Sequence, residues 1–223
     1  ASRPAESVTN NASNKVSRIY GAGQGQAEEA NKDKMQDASY VLIDIPDGVT
    51  NYSNMEIFGG GAFGGVGMYV DQSTANTAPA ATAIIDLING QVKAAYGASQ
   101  HQGFTRRTMV NVPQGSTINI TNIFGGAYGD DNNFACDAYE ANVNYSSRDA
   151  SLTGAIYGGN NNARRTLYGF VNINDTVWSN KAKGYLATVY GAGYGVGSWS
   201  QYTEVNLNNG AVYEVYGGGQ NGH

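Results

Sequence analysis

The residues best suited to chemistry lie in the run Gly125-Gly126-Ala127-Tyr128-Gly129-Asp130-Asp131-Asn132-Asn133. Two adjacent carboxylates followed by amide carbonyls are the oxygen donors calcium takes, so Asp130 and Asp131 are the candidate metal ligands. A calcium site needs roughly six or more oxygens, which spacing alone does not assemble, and a solvated polar loop is the alternative. No other cofactor is expected. The same carboxylate pair, with Arg106-Arg107 and Arg164-Arg165 to hold acidic sugars, is also the raw material of a polysaccharide-cleaving site. Convergence is what that pattern lacks: outward positions in neighbouring units are mainly Asn, Ser, Thr and Ala, and His101 and His223 fall in no acid–base pattern. The expectation is a chain with no catalytic residues, with a lyase or glycoside hydrolase as the alternative. Gly21-Ala22-Gly23-Gln24-Gly25 and Gly191-Ala192-Gly193-Tyr194-Gly195 share glycine spacing with dinucleotide loops, but no crossover helix follows either. Cys136 is the only cysteine, which excludes an intrachain disulfide and a Cys-based zinc site.

Binding is better motivated than catalysis. Segments 24–36, 63–81, 100–108, 128–140, 160–168 and 194–202 vary in length, and all but the first carry aromatic rings among polar residues such as Asn, Gln and Ser. Tyr128, Phe134, Tyr139, Tyr168, Tyr194 and Trp199 are the candidate ligand-binding residues, since rings beside amides and hydroxyls suit sugar faces and protein surfaces alike. The alternative is that these rings fold back over the glycines beside them.

What positions those segments is a repeat. An aliphatic residue, an aromatic and two or three small residues recur seven times, from Ile19-Tyr20-Gly21-Ala22-Gly23 to Val215-Tyr216-Gly217-Gly218-Gly219. The aromatics are Tyr20, Phe58, Tyr96, Phe124, Tyr157, Tyr190 and Tyr216, spaced 26 to 38 residues apart. Reduced to essentials, the unit before a box is strand grammar: a V-x-I/L run, an Asn-Gly or Pro-x-Gly turn and a few more β-forming residues, clearest from Val205 to Gly219 and weaker in the fifth unit. The shortest unit is too small for the four strands of a propeller blade but fits one turn of a parallel β-helix. About three short strands per turn, a core of residues such as Val110, Val112, Val171, Ile173, Val205 and Leu207, and a ladder of stacked box aromatics follow from that. The glycines are expected where the chain turns a corner, through positive φ or close backbone approach. Residues 27–35 alone read as helical turns.

Composition narrows the partners. Charged residues are 14% of the 223, and the net charge is −5, which offers no footprint for nucleic acid or an anionic membrane. No apolar run is long enough to span a membrane. Residues 1–15 read as a mobile lead-in and 16–223 as one solenoid of six to seven rungs, excised from a longer repeat protein because little sequence remains for end caps.

The boxes, with Ile/Val-Tyr-Gly-Gly after Val-x-Leu-Asn-x-Gly as in Val205 to Gly219, resemble the repeats of large bacterial cell-surface adhesin-like β-helix proteins of the kind common in gut bacteria. The resemblance covers roughly residues 16–219. It is weakest in the third unit, at Ala95 and Ser99, and in the first strand of the fifth. It implies an all-β, single-stranded right-handed parallel β-helix, extracellular and on a bacterial surface, acting as a shaft that presents ligands. The expected partners are carbohydrate or a host or bacterial surface protein, with self-association through the end rungs as a further expectation.

Overall fold

The computed structural model describes residues 16–24, 38–46, 49, 52–67, 82–129 and 135–221. They form an all-β structure of two open, largely parallel sheets between which the chain passes back and forth. With strands numbered in chain order, the first sheet contains β1 (Arg18–Tyr20), β3 (Glu56–Phe58), β5 (Gln91–Tyr96), β7 (Asn119–Phe124), β10 (Ala155–Tyr157), β14 (Thr188–Tyr190) and β16 (Glu214–Tyr216), paired in that order. The second contains β2 (Ser39–Asp44), β4 (Thr82–Asn89), β6 (Gln102–Val112), β8 (Ala135–Tyr145), β11 (Arg165–Ile173) and β15 (Trp199–Leu207), again in sequence order. Short strands β9 (Ser151–Leu152), β12 (Trp178–Asn180) and β13 (Tyr185–Leu186) join the first sheet beside this path. The one helical element among the described residues is a 3-10 turn at Lys181–Lys183, and no helix is long and apolar enough to cross a membrane. The helical turns expected at 27–35 lie outside the described residues.

The register explains why the boxes are alike. Ile19 pairs with Ile57, Ile57 with Ala95, Ala95 with Ile123, Ile123 with Ile156, Ile156 with Val189 and Val189 with Val215. Ile57, Ala95, Ile123, Ile156 and Val189 meet Val41, Ile85, Val110, Val143 and Val171 of the second sheet in one apolar cluster, with Ile19 packed against it. Each fully buried aliphatic there contributes about 1.5–3 kcal/mol. The weak box at Ala95 keeps its register, and the poor strand of the fifth unit becomes β8, eleven residues long. Its alternation is hard to read in sequence because its first half lies on a surface where polarity does not alternate.

The next residue in each box points to the opposite face of the first sheet. There Tyr20, Phe58, Tyr96, Phe124, Tyr157, Tyr190 and Tyr216 stack as one column, with ring centroids 4.6 to 5.1 Å apart and planes within 17°. Phe58, Tyr96, Phe124 and Tyr157 are buried, and burial raises the pKa of the Tyr96 and Tyr157 hydroxyls.

Close approach, and not positive φ, fixes the first glycine of every box but the last. Left-handed glycines occur at turns such as Gly90, Gly115 and Gly210, as Asn-Gly and Pro-x-Gly grammar demands, and at no first box glycine. A Cβ on Gly125 would stand 2.7 Å from the Gly158 carbonyl oxygen, and Gly21, Gly59, Gly97, Gly158 and Gly191 would likewise drive one into the next level's glycine carbonyl. The sheet hydrogen bonds continue through these corners, as in Gly125 N–H to Tyr157 O at 2.8 Å.

The expected third strand per turn is reduced to isolated parallel bridges linking Tyr128, Asn161, Tyr194 and Gln220. Much of what reads in sequence as loop insertion is instead the first half of β6, β8, β11 and β15.

Candidate functional site: the outer face of the second sheet

The outer face of the second sheet is ordered in columns, because the side chains on one face of a parallel sheet repeat at each level. Taking the Val-Asn pair of each strand as reference, Asn111, Asn144, Asn172 and Asn206 fall in one column. Their amides form a continuous chain: Asn206 Nδ2 donates to Asn172 Oδ1 at 3.0 Å, Asn172 to Asn144 at 2.9 Å, Asn144 to Asn111 at 2.9 Å, and Asn111 to Asp86 Oδ1 at 2.8 Å. An acceptor-only carboxylate ends the run, and Tyr40 Oη donates to its other oxygen.

Two residues earlier stand Met109, Asn142, Phe170 and Glu204, and two further back Arg107, Glu140, Tyr168 and Tyr202. Arg107 Nη2 binds Glu140 Oε2 at 2.9 Å, and Glu140 Oε1 accepts from Asn142 Nδ2 at 3.1 Å. Tyr202 Oη donates to Glu204 Oε2 at 2.8 Å. Hydrogen bonds from Asn206 first, then Tyr202, lower the Glu204 pKa. Tyr139 meets Tyr168 edge-on at 5.4 Å, and Tyr202 lies 6.3 Å from Tyr168 and 6.0 Å from Phe170. A last column holds Phe104, Asp137, Arg165 and Trp199 in register.

Asp137 is the electrostatic anomaly of this face. Burial raises its pKa, against the lowering charges of Arg165 and Arg164. One carboxylate oxygen sits 3.7 Å from Arg165 Nη2, whereas Oδ1 is buried with no hydrogen-bond partner, as is Arg107 Nε. A desolvated acid beside such groups in a surface strip marks a candidate binding position. Trp199 and Tyr202 are 42% and 48% exposed, so their rings are open to a ligand without rearrangement.

The sequence candidates divide into three groups. Tyr139, Tyr168 and Trp199 all lie on the second sheet, where Tyr139 and Tyr168 touch and Trp199 is in register with Arg165. Tyr128 and Tyr194 lie elsewhere: Tyr128 is edge-on to Phe58 and Tyr96, at 6.4 and 5.2 Å, and Tyr194 to Tyr157 at 5.8 Å, so both fold back over the aromatic column. Phe134, Asp130 and Asp131 lie outside the described residues, as does His223, and among the described residues no three His, Cys, Asp or Glu side chains group as metal ligands. Arg107 and Arg165 are engaged with Glu140 and Asp137. His101 stacks on Phe63 at 5.0 Å.

Sequence reading missed Tyr202, Phe170, Glu140 and Asn142. The signal was present: Arg107, Glu140, Tyr168 and Tyr202 each precede the valine of a Val-Asn pair by three residues. Comparison with protein-family models, with characterised proteins and with solved structures returns no match.

Proposed function

We propose that this chain is a right-handed parallel β-helix acting as a non-catalytic shaft of an extracellular bacterial surface protein, with the outer face of its second sheet as a carbohydrate-binding strip. One passage between two parallel sheets per repeat, with levels stacked in sequence order, supports the β-helix, and right-handed winding is the rule for parallel crossovers. The observation that carries the binding reading is the side-by-side placement of Tyr139, Tyr168, Tyr202 and Phe170 with Glu140 and Asn142 on successive levels. These rings are not part of the buried aromatic column, and the carboxylates and amides beside them are the donors and acceptors that fix sugar hydroxyls.

A polysaccharide-cleaving enzyme fits the strip less well. Asp137 and Glu140 each face an arginine, and that pairing holds a carboxylate for structure or recognition and not as a free acid and base. Calcium at Asp130 and Asp131 remains part of the proposal, on the oxygen donors the sequence places there.

A glycan-binding screen with and without calcium, run on the natural chain and on a Tyr168→Ala, Tyr202→Ala variant, tests this. Specific binding lost in the variant supports a sugar strip. No binding in either condition removes the strip and leaves the shaft. Calcium-dependent binding would bring Asp130 and Asp131 into the site.

A further inference from the structure

Three rings of the candidate strip lie on three neighbouring strands: Tyr139 on β8, Tyr168 on β11 and Tyr202 on β15. They form a path along the stacking axis and not along any one strand, with centroids 5.4 Å apart from Tyr139 to Tyr168 and 6.3 Å from Tyr168 to Tyr202. Neighbouring strands are about 4.8 Å apart, so each step of the path is one level. Tyr139 and Tyr168 have a paired strand on either side and are still partly exposed, so the path opens sideways to solvent. Tilt separates these rings from the buried aromatic column. In the column the planes lie within 17° and each ring covers the face of the next, whereas in the strip they meet at 63° and 54° and do not lie flat on one another.

The polar groups beside the path fix the charge of what fits it. Glu140 is in register with Tyr168 and with Arg107, whose Nη2 binds Glu140 Oε2 at 2.9 Å. Asn142 Nδ2 donates to the other Glu140 oxygen at 3.1 Å. At the Tyr202 end, Glu204 accepts from Asn206 Nδ2 and from Tyr202 Oη, both at 2.8 Å. The amide first, then the phenol, keep this carboxyl ionised. Arg106 and Arg107 on β6 thus balance Glu140 and Glu204 over the path as a whole, while the ring end carries a carboxylate held by neutral groups. A ligand acid group laid on Tyr202 would meet that carboxylate as a like charge.

We propose that the strip takes a neutral, extended glycan of equatorially linked pyranoses, laid along the stacking axis so that successive sugar rings rest on Tyr139, Tyr168 and Tyr202. Equatorial linkage makes a flat, straight ribbon whose ring faces carry C–H groups, the surface that an aromatic face accepts, and whose edges carry hydroxyls that reach Glu140, Asn142 and Glu204. Each sugar of such a ribbon advances it by a distance close to the spacing of the three rings. An axially linked chain curls away from a straight path, and a uronate chain sets its carboxylates against Glu204. The inference rests on the sugar-strip reading and adds to it the ligand's charge, shape and direction.

The test is isothermal titration calorimetry with cello-oligosaccharides from disaccharide to hexasaccharide and with cellouronates of the same lengths, on the natural chain and on Tyr139→Ala, Glu204→Gln and Tyr185→Ser. Affinity for the neutral series should rise about fivefold for each ring that a longer chain reaches. The cellouronate of equal length should bind about tenfold more weakly or worse. Tyr139→Ala should lower hexasaccharide affinity about fivefold, and Glu204→Gln should narrow the gap by raising affinity for the cellouronates. Tyr185→Ser, on β13 of the other sheet, should change neither. Affinity that is flat with chain length, a hexasaccharide response untouched by Tyr139→Ala, or a preference for cellouronate overturns the inference while sugar binding itself stands. No binding in either series overturns it as well, and the glycan screen then separates a strip that takes another class of sugar from one that takes none.

Discussion

Replacing Gly125 and Gly217 by alanine, one at a time, should move stability in opposite directions. At Gly125 the new Cβ would stand 2.7 Å from the Gly158 carbonyl oxygen and 3.3 Å from the Ala141 side chain. Backbone cannot swing aside as a flexible side chain can, so two levels must separate. That strains the bonds from Gly125 N–H to Tyr157 O at 2.8 Å and from Gly126 N–H to Gly159 O at 3.1 Å. Overpacking of this kind costs about 1–3 kcal/mol. Weakening each hydrogen bond removes part of about 0.5–1.5 kcal/mol. The stiffer unfolded chain returns about 0.4–1 kcal/mol. The net expectation for Gly125→Ala is a loss of about 2 kcal/mol, a large fraction of a typical domain's total. At Gly217 the first two terms vanish, leaving no loss and a gain of up to about 1 kcal/mol. Urea unfolding followed by circular dichroism, below the concentrations at which ends could associate, reads both as midpoint shifts at constant slope. A Gly125→Ala midpoint equal to or above that of Gly217→Ala would refute the close-approach account of the glycine column.

Three further outcomes follow from the same geometry. Phe124→Ala removes a ring stacked on both sides and should cost about 3–5 kcal/mol, whereas Tyr216→Ala, half-exposed at the end of the column, should cost about 1 kcal/mol or less, measured by the same urea melts. Asn144→Ala breaks the amide chain at two bonds and should cost about 1–2 kcal/mol, with faster amide exchange in β6 and β11 than in the natural chain. Burial raises the folded pKa of Asp137, so stability present at acid pH is lost as pH rises through that value and the group ionises in the fold. Asp137→Asn should therefore match the natural chain at low pH and exceed it at neutral pH; a neutral-pH deficit would mean that the Arg165 pair outweighs desolvation.

What was legible in the sequence was whatever the stacking repeats. The boxes declared the aromatic column, and Val-x-Ile/Leu runs declared the inward positions, because a residue buried between two sheets must alternate. Leu207 reads as core on that grammar and is exposed only because no level within the described residues covers it. The first halves of β6, β8, β11 and β15 stayed hidden for the opposite reason. Facing residues there are Arg, Glu, Tyr and Phe, which serve a surface, so no period separates them from a loop. The candidate strip was hidden with them: Tyr168 was visible as a single aromatic, but its alignment with Tyr202 and Glu140 needs the Val-Asn reference to be carried from strand to strand. Tyr128 and Tyr194 have the composition of binding residues and the placement of a cover, a difference decided by whether the chain turns inward after the glycines.

The most direct measurement of the proposed strip is tryptophan fluorescence of a Trp178→Phe chain, in which Trp199 is the sole tryptophan, titrated with a panel of neutral and acidic oligosaccharides. Trp199 is 42% exposed and in register with Arg165, beside the aromatic strip, so a bound sugar should change its emission. The account predicts a saturable change with at least one class of oligosaccharide, abolished by Tyr168→Ala. Flat titrations across the panel, or a response that survives Tyr168→Ala, would contradict it.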